Sequence, residues 1–219
     1  MNPYRITTVV TPAASLALVT LDDAKTALGI DPADTSQDAT LTRQIEAVSA
    51  AVNNYCDRVF VVQTYRDQVR GAYGWTGEPL VTRQYPIVVE DGVPLVVTEG
   101  GVAVDPAYLE IYPETGSLFR LDNYSTAPSA WTAPLIVVDY TAGFDPIPPD
   151  VQGAALEWLT ARWYAIGRDP SLRSETIPDL IAQVYSGPSS RSDLGSGASS
   201  GSTPPGVRDL LGPYRIWSV

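Results

Sequence analysis

Apolar positions along the chain change their period twice. Leu21, Ala24 and Leu28 recur at helical spacing, and so do Leu41, Ile45, Val48, Val52 and Tyr55, which step by four, three, four and three. The first run predicts a short helix that opens at the cap residue Thr20, carries Asp22 and Asp23 in its first turn, and stops at Gly29 before Pro32. The second predicts a helix from about Asp38 to Asp57, roughly 30 Å long at 1.5 Å per residue. Residues 8–21 are mildly apolar but interrupted by Pro12 and several hydroxyl side chains, and they read as an extended N-terminal arm too short to span a bilayer.

After Arg58 the pattern becomes strand-like. Short β-branched and aromatic runs occur at Val59–Tyr65, Leu80–Gln84, Ile87–Glu90, Val93–Thr98, Tyr108–Tyr112, Ser117–Leu121 and Leu135–Tyr140. Turn signals separate them at Asp91-Gly92, Gly100-Gly101, Asp105-Pro106 and Glu114-Thr115-Gly116. This spacing predicts an antiparallel sandwich or small barrel. Helical periodicity returns after Ile147-Pro148-Pro149-Asp150, with Asp150 placed to cap a helix over Val151–Gly167. Ala155, Trp158, Leu159 and Ile166 cover one side of it, and Leu156 and Trp163 widen the apolar arc. So wide an arc fits either a central core helix or one that also packs on a neighbouring subunit.

The last fifth of the chain differs in kind. Residues 187–206 are rich in Ser, Gly and Pro, the composition of a tether, and an apolar and aromatic cluster follows from Val207 to Trp217. That cluster either folds back to complete its own subunit's core or docks on a partner, and composition alone leaves both open. The fold class is therefore α+β, with extended N- and C-terminal arms. The expected segments are an arm over 1–19, a helical domain from 20–57 and 147–170, an inserted β domain over 58–146, and a linker with docking segment over 171–219.

Composition then removes most chemistry. The 219 residues include no His and one Cys, which excludes Ser-His-Asp and Cys-His nucleophile systems, imidazole metal sites and thiolate zinc clusters. Cys56, beside the apolar stripe of the second helix, reads as a small buried hydrophobe. Asp31, Asp34 and Asp38 lack the glycine and glutamate of a calcium loop. Paired carboxylates are the one acid-base device left, and neither Glu110 with Glu114 nor Asp139 with Asp145 is marked by its surroundings. No phosphate-binding glycine loop occurs. No catalytic, cofactor-binding or metal-binding residue is expected, and no cofactor.

The net charge of −11 argues against wrapping nucleic acid through phosphate contacts. Arg66, Arg70 and Arg83 near Tyr65, Tyr73 and Trp75 read as ordinary sheet-surface residues. Over 58–146 five Arg face eleven acids, a balance of −6, so the β insertion holds more than half the excess. A wall past which DNA must slide without sticking gains from that sign.

In order, these landmarks resemble the head-tail connector (adaptor, or head-completion) proteins of tailed bacteriophages and prophages. The residues that carry the resemblance are Leu21-Asp22-Asp23-Ala24-Lys25, the helix from Leu41 to Tyr55, Val138-Asp139-Tyr140-Thr141-Ala142-Gly143-Phe144, Pro148-Pro149-Asp150-Val151, and Leu210-Leu211-Gly212-Pro213-Tyr214-Arg215. The β-rich insertion is longer than in the minimal, mostly helical members. The resemblance implies a non-enzymatic virion protein at the head-tail interface, made in the host cytoplasm, with no membrane partner. It implies a ring, commonly of twelve subunits, beneath the portal and joined to a stopper or tail-completion protein, with DNA passing through the lumen unbound. Ring packing would fall to Leu41, Ile45, Val48, Val52, Trp158 and Trp163. Portal docking would fall to Leu210, Leu211, Pro213, Tyr214, Arg215 and Trp217, and removal of residues 207–219 would then leave a folded chain. The rival reading is a β-sandwich binding module, with Tyr73, Trp75 and Trp131 as a stacking platform for carbohydrate or another virion surface ligand.

Overall fold

The structure is a computed structural model that describes residues 4–71, 78–89, 95–122, 127–165, 174–177, 181–184 and 203–216. The chain forms two compact units, 1–16 with 57–148 and 17–56 with 149–219.

The first unit is antiparallel β. Strands β1 (Tyr4–Thr11), β2 (Gln63–Arg70), β3 (Leu80–Val81), β4 (Val96–Glu99), β5 (Val102–Ala103), β6 (Leu109–Tyr112), β7 (Ser117–Arg120) and β8 (Leu135–Ala142) form two sheets. Their orders are β1-β2-β8-β4-β5 and β3-β7-β6. The alternation of β8 places Ile136, Val138, Tyr140 and Ala142 inward, where Tyr65 and Val69 of β2, Leu80, Val97, Leu118 and Trp131 join them in one apolar core. The α+β class expected from the changing period is what forms.

One expectation is corrected here. Within the expected extended N-terminal arm, Tyr4–Thr11 is a strand that pairs with β2 from Tyr4↔Arg70 to Thr11↔Thr64, with a bulge between Val9 and Thr11. The strand expected over Val59–Tyr65 begins four residues later and runs on through the polar stretch Arg66–Arg70. Its inward-pointing Asp67 is held through one carboxylate oxygen, Oδ2, while Oδ1 is buried with no hydrogen-bond partner among the described residues. One carboxylate oxygen of Asp67 accepts the Arg83 backbone N–H at 2.8 Å and the Tyr140 hydroxyl at 3.2 Å, and the Arg5 guanidinium stands 3.9 Å away.

Burial, and next the Asp67 carboxylate, push the Tyr140 phenol well above the ordinary tyrosine range. The folded chain therefore holds a proton that the unfolded chain releases above about pH 10, so this contribution to stability is complete below that pH and declines as pH rises. The slope is at most about 1.4 kcal/mol per pH unit. In Tyr140→Phe the alkaline slope should flatten, while neutral stability falls by about 1–3 kcal/mol because the Gln84 N–H loses its acceptor. Urea midpoints of both proteins at pH 8 and pH 11 check this, and identical alkaline losses would refute it.

The second unit is mainly helical: α1 (Leu21–Leu28), α2 (Asp38–Cys56), α3 (Pro149–Ala165) and α4 (Pro205–Leu211). It also contains a hairpin of β9 (Ser174–Ile177) and β10 (Ile181–Val184). Thr20 and Asp23 form a reciprocal capping box at the start of α1, and Gly29 closes it at φ 68°. Lys25, the chain's one lysine, is buried, pairs with Asp38 at 2.6 Å and donates to the Pro32 carbonyl at 3.1 Å, tying α1 to the start of α2. α3 starts at Pro149, so Asp150 lies inside its first turn instead of preceding it. No helix among the described residues is long and apolar enough to cross a membrane.

Candidate functional site: the helical unit and its C-terminal segment

Four helices of short reach need a common apolar centre, and the sequence supplies it from both ends of the unit. Leu18, Ala24, Leu28, Leu41, Ile45, Val48, Val52 and Cys56 meet Val151, Ala154, Ala155 and Leu159 as buried residues. Leu41, Ile45, Val48 and Val52 are thus enclosed by their own unit, which leaves them no surface for a neighbouring subunit. The apolar arc of α3 divides: Ala155 and Leu159 are buried, whereas Leu156, Trp158 and Trp163 are half-buried and Tyr164 is exposed. Ile166 lies outside the described residues.

The C-terminal segment folds back on this unit. Val207 and Leu211, on one side of α4, are both 0 % exposed. The Ile216 N–H donates to the Cys56 carbonyl at 2.9 Å, and the Cys56 thiol faces the Leu211 carbonyl at 3.9 Å. The Arg215 guanidinium lies 5.3 Å from the Tyr55 ring centroid, and the Tyr214 hydroxyl donates to Asp150 at 3.4 Å. The expectation that the whole cluster is held out for a partner is corrected for Leu211, which fills its own core. Leu210, Pro213 and Arg215 remain exposed, Tyr214 is half-buried, and Trp217 lies outside the described residues, as does most of the Ser/Gly/Pro stretch. Sequence reading missed the helix within this segment. Its signal is the pair Val207 and Leu211 at i, i+4 behind Pro204-Pro205.

The alternatives fare differently. Trp131 is 1 % exposed inside the β core, so it offers no stacking face, while Tyr73 and Trp75 lie outside the described residues. Asp139 is held by Arg66 through two bonds of 2.6 and 3.0 Å, which raises the guanidinium's affinity for its proton. Glu110 accepts the Tyr112 hydroxyl at 2.7 Å and raises that phenol's pKa. Both are surface pairs of a sheet. Cys56 is fully buried, among side chains that pack it as a hydrophobe.

The α1–α2 pair and the chain that follows it carry the decisive likeness. Residues 18–87 match the family of phage gp6-like head-tail connector proteins. The connector match thus begins at buried Leu18 and ends at Ile87, covering the landmarks from Leu21 to Tyr55 on which the resemblance rested. No curated protein matches the chain. Among solved structures, the fold resembles a chain in the neck of an empty gene transfer agent (GTA) particle computed with C6 symmetry, at 18% identity and a TM-score of 0.58. It resembles chains of the native GTA virion and of the native GTA neck computed with C12 symmetry at the same identity, with TM-scores of 0.56 and 0.55. Each likeness covers 98% of this chain and 97% of the other. The fold beyond the connector match, β insertion and C-terminal segment included, is therefore shared with neck proteins.

Proposed function

We propose that the chain is a structural virion protein, a head-tail connector that forms a ring beneath the portal and joins the DNA-filled head to stopper or tail proteins. The observation that carries this reading is the connector match over residues 18–87 within a fold that is shared along its whole length with neck proteins of phage-like particles. Its mechanism is burial at interfaces and needs no catalysis. Ring contacts use what the helical unit leaves uncovered, namely Leu156, Trp158 and Trp163 of α3, in place of the α2 stripe. Aromatic side chains half-exposed on a helix are typical anchors of such contacts. Portal docking uses the outward side of the C-terminal segment, Leu210, Pro213 and Arg215, with Trp217 beyond it. The acidic β insertion keeps DNA from adhering as it passes.

The test is electron microscopy of the full chain mixed with the portal of its own particle. A ring of about twelve copies seated on the portal is expected, the number being the one the connector resemblance implies. Leu210→Asp, at a position 38 % exposed, should keep the fold and weaken seating at least tenfold. Absence of any complex between chain and portal sinks the proposal.

A further inference from the structure

We draw no further inference here: the strongest candidate, the outer face of the three-stranded sheet β3-β7-β6, where exposed Val81 and Tyr112 and half-buried Phe119 stand beside the Glu110 carboxylate, is an apolar surface patch, and nothing in the structure shows what covers it.

Discussion

Leu211→Ala is expected to destabilise the helical unit by about 2–5 kcal/mol, the usual cost of emptying a fully buried leucine position. Leu211 and Val207 are both 0 % exposed, and the Leu211 carbonyl faces the Cys56 thiol at 3.9 Å. Loosening α4 should therefore make Cys56 reactive toward a thiol reagent at a urea concentration where the wild type is inert. Leu210→Ala, one residue away at a position 38 % exposed, should stay within about 0.5 kcal/mol of wild type. Equal losses in the two variants, or an unchanged thiol in Leu211→Ala, would show that the segment is not part of the core. The same packing means that removal of residues 207–219 strips the unit of two core side chains, so the expectation of an undisturbed truncated fold is reversed. Portal binding is better probed with surface variants.

Gly143→Ala should be the most damaging single-methyl change in the β unit. Gly143 follows β8 at φ 139°, and a Cβ there would stand 2.6 Å from the Val62 Cα and 2.7 Å from its nitrogen. Those are backbone atoms, held where the Phe144 N–H donates to the Phe60 carbonyl at 2.8 Å and the Gly143 N–H to the Pro86 carbonyl at 3.0 Å. Left-handed strain and overpacking each cost about 1–3 kcal/mol, so a loss of at least about 3 kcal/mol is expected. Gly153→Ala, within α3 and with nothing inside 4 Å, should instead gain about 0.5–1 kcal/mol. Thermal unfolding of the pair separates the two effects, and a Gly143→Ala chain that melts with wild type would refute the account.

How much of this was legible in the sequence depended on whether local chemistry and tertiary placement agreed. They agree at Thr20 to Gly29, where cap, acids and C-terminal glycine all mark one helix, and in β8, whose strict alternation matches its inward set. They disagree in β2, where Asp67 points into the core and only its partners Tyr140 and Arg83, distant in sequence, make that tolerable. β5 has two residues, too few for any period to register. α4 has seven residues and becomes a helix because a berth exists for Val207 and Leu211, which composition cannot reveal. For the candidate site, the apolar positions of α2 and α3 were readable. Which of them face their own core required the fold, since a wide stripe does not say what covers it. The resemblance to head-tail connectors was legible through the order of weak motifs, and the match of residues 18–87 to a connector family bears that resemblance out.

The pairing of Lys25 with Asp38 carries a practical meaning for anyone mapping this chain's neighbours. The chain has one side-chain amine, and it is enclosed beneath α1 with its charge held at 2.6 Å. Amine-directed cross-linkers and acylating labels will pass over nearly its entire surface, so their silence says nothing about whether it was touching a partner. The twenty-five carboxylates, or cysteines introduced one at a time, are the handles by which its contacts can be recorded.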